Sequence, residues 1–309
     1  MTLSRRALIT GASTLTAATA LAACSSSDPL ADPAAGPGGA DAITTVVVGS
    51  QQYYSNEILA EIYAQALEGA GFAVDRQFQI GQREVYMPEL ESGSIHVLPE
   101  YVGNLLQHYV KDSTASSTEE IVTALGQTLP SSVVVLDAAE ATDQDSYTVT
   151  ADSASKYSLS SVADLASLGR SVTIAANSEF STRPYGPQGL RSVYGVEAEV
   201  TPVEDSGGPL TVKALTDGSV DVADIYSSDP AIEANGLVVL DDPKHLILPQ
   251  NVVPLVSAGL GAKAVVALNA VQAVLTTDEL RALNRRSTAE GLDSAAIAKD
   301  WLAAQGLVG

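Results

Sequence analysis

The stretch LESGSIHVLPEY, residues 90–101, decides the fold, because a second stretch of the chain repeats its pattern. The second copy is LTDGSVDVADIY, residues 215–226, and both fit the spelling L-x-x-G-S-[I/V]-x-V-x-x-x-Y. In each copy the pattern predicts a helix that stops at a glycine, then a short apolar strand, then a tyrosine on a loop. These residues are Tyr101 and Tyr226, so the repeat predicts two similar halves that each offer a tyrosine beyond a strand end.

The rest of the chain alternates predicted strands and helices. The apolar run TTVVVG, residues 44–49, predicts a buried strand, and residues 55–71 predict an amphipathic helix. The pattern ends with helices at about 261–275, 277–289 and 293–305. Such alternation predicts an α/β fold with largely parallel sheets. Because ligands of open α/β sheets bind beyond the carboxyl ends of the strands, we expect a ligand cleft between two lobes.

The repeated tyrosines have a structural alternative, since a helix, a glycine and a strand follow one another in many α/β proteins. Tyr101 and Tyr226 would then be ordinary core residues. Composition favours binding, because 11 Tyr stand against 3 Phe and 1 Trp, and tyrosine suits a boundary between apolar and polar surroundings. Several tyrosine faces around one void would bind a quaternary ammonium by cation–π attraction, since this cation has no N–H to donate.

The N-terminus has the pattern of an export signal. Arg5 and Arg6 precede an apolar stretch that stops at LAAC, and Cys24 in this motif is the only cysteine of the chain. The motif matches the lipobox of bacterial lipoproteins and predicts a signal peptide over residues 1–23, with lipidation of Cys24. An ordinary signal peptide is the alternative. Residues 24–42, rich in Ser, Pro and Gly, predict a flexible tether.

These features predict an exported protein that is held on the outer face of the cell membrane by its lipid anchor only. No stretch after the signal is long and apolar enough to predict a membrane-spanning helix. The formal net charge of −21 argues against binding nucleic acid or anionic lipid surfaces, and it favours a cationic ligand. An acidic surface that only aids solubility is the alternative. A chain of 309 residues is long enough for two domains.

Motifs of enzymes are missing from the sequence. There is no G-x-S-x-G elbow, no H-E-x-x-H motif and no P-loop. His96, His108 and His245 lack the spacing of metal ligands. The sequence therefore predicts a binding protein with no cofactor and no metal, with an exported enzyme or a ligand-sensing module on the same fold as alternatives.

Four blocks of sequence resemble the quaternary-amine solute-binding proteins of ABC importers, which bind glycine betaine, choline, carnitine or proline betaine. The blocks are VVVGSQQYYSNEILAEIYAQALEGAGFAV (46–74), REVYMPELESGSIHVLPEYVGN (83–104), YSSDP (226–230) and LPQNVVPLV (248–256). The resemblance extends from about residue 44 to about residue 305. It implies a monomer that delivers a small solute to an ABC permease and its ATPase.

The resemblance also implies the fold. Members have the two-lobed type II fold of periplasmic binding proteins, with the ligand cleft between the lobes and two crossover connections. Carried to this chain, lobe one comprises residues 43–146 and 251–309, and lobe two comprises residues 147–250.

The binding residues implied by the resemblance fall into two groups. The family's cage of four tyrosines corresponds to Tyr101, Tyr147, Tyr226 and Gln250, with an acidic neighbour at Asp145. Gln250 departs from the family pattern, and a missing ring could admit a different, less cationic solute.

The second group would contact a carboxylate on the ligand. Its members are Gln51, Asn104 and Arg183. The chemistry agrees with this role, since an arginine can pair with a carboxylate through two parallel hydrogen bonds. Free backbone N–H groups at the predicted helix start near Asn104 also favour an anion.

Overall fold

The structure, a computed structural model, describes residues 43, 45–111 and 113–307. The predicted signal peptide, Cys24 and the predicted tether lie outside these residues. The described residues form ten strands, which are β1 (Thr45–Gly49), β2 (Ala73–Gln77), β3 (Val97–Tyr101), β4 (Val133–Val135), β5 (Tyr147–Thr150), β6 (Val172–Ala176), β7 (Ala198–Pro202), β8 (Val222–Asp224), β9 (Leu237–Val239) and β10 (Val252–Ser257).

The strands form two sheets with equivalent arrangements. The first has the order β2-β1-β3-β10-β4, and the second has the order β7-β6-β8-β5-β9. Neighbours in the first three positions of each sheet are parallel, whereas β10 and β5 are antiparallel to the strands on either side. Each antiparallel strand is the first one after the chain crosses from the other sheet. The predicted α/β class is confirmed, and the expected parallel sheets each contain one antiparallel strand.

Helices connect the strands. They are α1 (Tyr54–Gly69), α2 (Arg83–Ser92), α3 (Val102–Tyr109), α4 (Thr118–Thr128), α5 (Ala151–Tyr157), α6 (Pro187–Gly189), α7 (Pro209–Thr216), α8 (Ala231–Ala234), α9 (Ala262–Gln272), α10 (Thr277–Thr288) and α11 (Ser294–Ala304). Two 3₁₀ helices, Val162–Leu168 and Ser178–Thr182, and a π-helical turn, Leu190–Tyr194, complete the helical structure. Within the part of the chain that the structure describes, no helix has the length and apolar character needed to cross a bilayer.

Two glycines explain why the sequence repeat places its tyrosines similarly. Gly93 ends α2 with a φ of 81°, and Gly218 follows α7 with a φ of 71°. Both values lie in the left-handed region, which glycine adopts without the steric cost that other residues incur. Each glycine turns the chain from a helix into a strand, and these strands lead to Tyr101 and Tyr226.

Apolar side chains form cores around both sheets. In the first half, α1 is buried against α9, α10 and α11, with Leu59 and Leu302 both fully buried. The C-terminal helices therefore pack with the first sheet. In the second half, Val172 and Leu190 belong to a separate buried cluster.

The two segments that cross between the sheets pair with each other. Thr142 and Asn251 form an isolated antiparallel bridge, and the N–H of Asp143 donates to the carbonyl of Gln250 at 3.2 Å. Short paired connections of this kind are suited to act as a hinge, because a few residues can absorb the backbone rotation between two rigid bodies.

The sequence patterns missed β10, which pairs with β3. The prediction that Tyr101 lies on a loop is wrong. Tyr101 is the last residue of β3, paired with Val252, and it also precedes the first residue of α3. The strand continues through Pro99 because β10 supplies partners up to this point.

Candidate functional site

One cavity brings the two repeated tyrosines together. Tyr101 ends β3 in the first sheet, and Tyr226 follows β8 of the second sheet. Both line a narrow cavity of about 40 Å³, and residues from both halves of the protein form its wall. Its position beyond the carboxyl ends of β3 and β8 is the place where α/β sheets bind ligands.

Two further tyrosines, Tyr53 and Tyr185, line the same cavity, and the sequence analysis missed both. The Tyr53 ring centroid lies 5.1 Å from that of Tyr226, edge-to-face at 60°. The Tyr185 ring lies 5.6 Å from that of Phe180 at 74°. Tyr53 lies shortly after β1, so its place near a strand end is a signal of the same kind as that of Tyr101. Tyr185 lies in an irregular segment that carries no such signal.

Tyr147 does not line the cavity. It lies on β5 with 1% of its surface exposed, and its hydroxyl donates a hydrogen bond to the backbone carbonyl of Tyr185. Its ring packs edge-to-face on Phe180 at 6.4 Å. Tyr147 therefore lies behind Tyr185 and holds that part of the wall in position.

Gln250 is fully buried and also lies behind the cavity wall. Its Oε1 accepts from the backbone N–H of Asn104 at 3.0 Å, and its Nε2 donates to Oδ1 of Asn104 at 2.9 Å. Nε2 also donates to the carbonyl of Leu248 at 3.0 Å. Gly103 makes this close approach possible, because a Cβ there would lie 2.5 Å from Nε2 of Gln250. In this position Gln250 orients Asn104 instead of facing a ligand.

The other predicted site residues all border the cavity: Gln51, Asn104, Asp145 and Arg183. Oδ2 of Asp145 accepts a hydrogen bond of 2.8 Å from Nδ2 of Asn104. Gln250, Asn104 and Asp145 thus form a chain of hydrogen bonds that ends at the cavity. The chain fixes the direction in which the Asp145 carboxylate points.

Carboxyl groups give the cavity an acidic wall, which comprises Asp143, Asp145, Glu179 and Asp224. Burial raises the pKa of Asp143 to about 7 and also raises the pKa of Glu179. Burial, together with the nearby Asp145 carboxylate, raises the pKa of Asp224 well above its ordinary range. Because a nearby cation stabilises the ionised form of a carboxyl group, a bound cation would lower these pKa values.

This acidic wall is not arranged as a metal site. Across residues 43, 45–111 and 113–307, no group of three or more His, Cys, Asp or Glu side chains has the arrangement needed to hold a metal ion.

Both arginines that line the cavity are paired with glutamates. Nε and Nη2 of Arg83 donate to the two oxygens of Glu100 at 2.8 and 2.9 Å, and both side chains are buried. Nη1 and Nη2 of Arg183 donate to Glu84 at 2.6 and 3.3 Å. Arg183 follows the second 3₁₀ helix and Glu84 lies on α2, so this pair joins the two halves. A ligand anion at Arg183 would share the guanidinium with Glu84.

Three buried polar atoms at the cavity have no hydrogen-bond partner among the described residues. They are Nε2 of Gln51, Nε2 of Gln82 and the hydroxyl oxygen of Tyr101. Buried polar groups are nearly always hydrogen-bonded, since leaving one without a partner costs about 1–3 kcal/mol. Two amide groups and a phenol thus face the cavity with unused capacity for a polar ligand.

Comparison with known proteins identifies sequence relatives. A family described as the substrate-binding domain of ABC-type glycine betaine transport systems matches residues 44–304. The glycine betaine-binding protein YehZ of Escherichia coli (strain K12) is 27% identical over 281 residues, covering 86% of this chain and 92% of YehZ.

Solved structures share the architecture. A structure described as a glycine betaine/carnitine/choline ABC transporter superposes on this chain with a TM-score of 0.67 at 21% identity. The match covers 85% of this chain and 99% of the other chain. Apo YehZ has a TM-score of 0.61 at 26% identity, with coverage of 86% and 100%. An ABC-transporter choline-binding protein in complex with choline has a TM-score of 0.63 at 15% identity, with coverage of 87% and 91%. The predicted two-lobed type II binding-protein fold is confirmed.

Proposed function

The chain belongs to the family of substrate-binding domains of ABC-type glycine betaine transport systems, and we propose that it captures a small quaternary-amine solute in the tyrosine-lined cavity and delivers it to an ABC importer. A solute-binding role is the function of this family.

The combination of aromatic rings and carboxyl groups around one cavity carries the proposal. Tyr53, Tyr101, Tyr185 and Tyr226 supply π-faces, and the acidic wall supplies negative charge. A quaternary ammonium gains roughly 0.5–2 kcal/mol from each well-placed ring and cannot donate an N–H to a competing polar site. The acidic wall adds long-range attraction in a region that is largely shielded from water.

A second group on the solute would use the unsatisfied amides. Gln51 and Gln82 each hold a buried Nε2 that lacks a partner among the described residues. A hydroxyl or carboxylate oxygen on the solute can accept from both. We assign Asn104 and Arg183 to the same end of the solute, in agreement with the roles that the family resemblance implies for them.

Closure of the two lobes would trap the solute. We take lobe one as residues 43–146 and 251–309 and lobe two as residues 147–250, with the paired crossover segments as the hinge. The solute would contact both lobes, so it would bind the closed form more tightly than the open form and raise the closed population.

Export and anchoring complete the proposal. Residues 1–23 would direct export, Cys24 would carry the lipid, and residues 24–42 would tether the protein to the outer face of the cell membrane. The monomer would then deliver its solute to a permease and an ATPase of the ABC type.

Isothermal titration calorimetry with choline and glycine betaine tests the proposal. The experiment uses the wild type, Tyr226→Leu, and Tyr157→Leu as a control, because Tyr157 is exposed on α5 away from the cavity. We expect binding by the wild type and the control, and a loss of about 1–2 kcal/mol for Tyr226→Leu. Recovery of the solute unchanged would separate a binding protein from an enzyme. Failure of the wild type to bind any quaternary amine would refute the solute class.

A further inference from the structure

A second cavity of about 250 Å³ borders the first one. The two cavities share four lining residues, which are Arg83, Asn104, Arg183 and Tyr185. The two cavities therefore adjoin one another at these four residues. The proposed function uses Asn104 and Arg183 but none of the residues that border only the second cavity.

One face of α3 and the residues just past its end line the second cavity. Asn104, Gln107 and His108 lie on α3, and their spacing of three and four residues places them on the same side of this helix. Lys111, which follows the end of α3, also borders the cavity. Asn104 borders both cavities, whereas Lys111 borders only the second. This face thus leads away from Tyr53, Tyr101 and Tyr226, which border only the first cavity.

The lining of the second cavity is more cationic than that of the first, although both of its arginines are ion-paired, Arg83 with Glu100 and Arg183 with Glu84. Its lining contains the cationic side chains of Arg83, Lys111 and Arg183, and Glu84 is the one carboxylate among them. The first cavity contains the same arginines but four carboxyl groups. A ligand that spans both cavities would meet an acidic end and a basic end.

The polar groups of the second cavity have capacity left for an anion. Arg183 uses Nη1 and Nη2 on Glu84, which leaves its Nε for another acceptor. The side-chain Oε1 of Gln107 is buried and lacks a partner among the described residues. An amide can present either its oxygen or its nitrogen after a flip, so Gln107 can serve a phosphate hydroxyl or a phosphate oxygen.

Resting on the proposed function, we infer that the two cavities together bind a zwitterion longer than glycine betaine, with its quaternary ammonium in the tyrosine-lined cavity and a phosphate in the second cavity. A phosphate offers more acceptor oxygens than a carboxylate, which suits a cavity bordered by the Nε of Arg183 and the ammonium of Lys111. Phosphocholine and its soluble esters have this chemistry. The headgroup of phosphatidylcholine shares it.

Titration calorimetry with phosphocholine, glycerophosphocholine, choline and glycine betaine tests the inference. We expect phosphocholine to bind about tenfold more tightly than choline, since one hydrogen bond to a charged group contributes about 1.5 kcal/mol, which corresponds to about tenfold in Kd. Flotation with phosphatidylcholine vesicles separates the two sources of the headgroup. Binding of the soluble esters without flotation supports a soluble ligand, and flotation without binding of the soluble esters would overturn it.

A charge reversal in the second cavity gives the sharper test. Lys111 is exposed and borders only this cavity, so Lys111→Glu should raise the Kd for phosphocholine about three- to fivefold and leave the Kd for choline within about twofold. Lys299→Glu is the control, because it makes the same charge change at an exposed position of α11 that does not border the cavity. It should alter neither the Kd for phosphocholine nor the Kd for choline.

Equal effects of Lys111→Glu and Lys299→Glu on phosphocholine would overturn the inference, as would weaker binding of phosphocholine than of choline. In both cases choline binding would leave the proposed function standing. Failure of all four compounds to bind would refute the proposed function and the inference together.

Discussion

The hydroxyl of Tyr54, at the start of α1, donates a hydrogen bond of 2.8 Å to Oδ2 of Asp229, which follows β8. The two residues belong to opposite halves of the protein, so the bond requires the halves to be close together. Tyr54→Phe should therefore disfavour the closed form. We expect choline binding to weaken by about 0.5–1.5 kcal/mol, the usual contribution of one hydrogen bond, as measured by titration calorimetry.

A matched control exists within the first half. The hydroxyl of Tyr109 donates to Oε1 of Glu91 at 2.5 Å, and both residues flank the first sheet. Tyr109→Phe removes a bond of the same chemistry without touching the contact between halves. If both variants weaken choline equally, the Tyr54 bond does not contribute to closure.

Most helices and strands were predictable from short segments of sequence, because the residues that start and end them lie within those segments. Gly93 ends α2 and Gly218 follows α7, and an apolar strand comes directly after each glycine. These features depend only on residues that are close in sequence. The strand β10 was missed, since its antiparallel pairing with β3 depends on residues about 150 positions away. A pattern within one segment carries no information about such a partner.

The candidate site was predictable where a residue lies at the end of a strand or just after it. Tyr101 and Tyr226 are of this kind, and both line the cavity. Tyr147 and Gln250 were inferred from aligned motifs, and a motif cannot tell a wall residue from the residue behind it. Tyr185 was not predictable, because it lies in an irregular segment whose path depends on tertiary packing. The hydroxyl of Tyr147 donates a hydrogen bond to its backbone carbonyl.

The two tyrosines that the sequence analysis missed give a prediction about ring faces. Tyr53→Leu and Tyr185→Leu should each weaken choline binding by about 1–2 kcal/mol, because a leucine retains apolar contact but has no π-face. Tyr53→Phe and Tyr185→Phe retain the face and should bind choline nearly as well as the wild type. Calorimetry on the four proteins decides the matter, and equal losses for the Leu and Phe variants would show that the hydroxyl groups, and not the rings, bind the solute.

Gln250 gives a prediction about stability. Gln250→Tyr would place a bulky ring beside Gly103, where even a Cβ would lie 2.5 Å from Nε2 of Gln250, and would break the bonds to Asn104. We expect a fall of about 1–3 kcal/mol in the free energy of unfolding, the usual cost of overpacking, measured by urea denaturation. Tighter choline binding with unchanged stability would instead place residue 250 in the cavity wall.

Anchoring rests on Cys24, which lies outside the described residues. Cys24→Ala should abolish acylation and move the protein from the membrane fraction to the soluble fraction or leave it as a precursor. Metabolic labelling with a fatty acid, followed by fractionation, measures both effects. Cys24→Ser is the conservative control and should behave as Cys24→Ala, because a hydroxyl does not replace the thiol. A wild-type protein without label in the soluble fraction would contradict the lipoprotein prediction.

Asp143 gives a prediction about pH. Burial raises its pKa from 3.8 to about 7, against the opposing effect of the N–H of Ser228, which donates to its Oδ1 at 3.1 Å. Nearby carboxyl groups of Asp145 and Asp229 raise the pKa further. Between about pH 4 and pH 7 the folded protein therefore holds a proton that the unfolded chain releases. The free energy of unfolding should fall as the pH rises through this window, by roughly 2–4 kcal/mol from this group, and should level off above it.

Urea denaturation of the solute-free protein at pH 5, 6, 7 and 8 measures this dependence. Asp224 and Glu179 also have raised pKa values, so the contribution of Asp143 is the difference between the wild type and Asp143→Asn. We expect a flatter stability profile for Asp143→Asn and an unchanged one for Asp137→Asn, whose side chain is exposed. A bound cation favours the ionised form of Asp143, so choline affinity should rise with pH through 7 in the wild type and less so in Asp143→Asn. Parallel profiles for the wild type and Asp143→Asn, in both stability and affinity, would show that Asp143 titrates at its ordinary pKa and does not contact the cation.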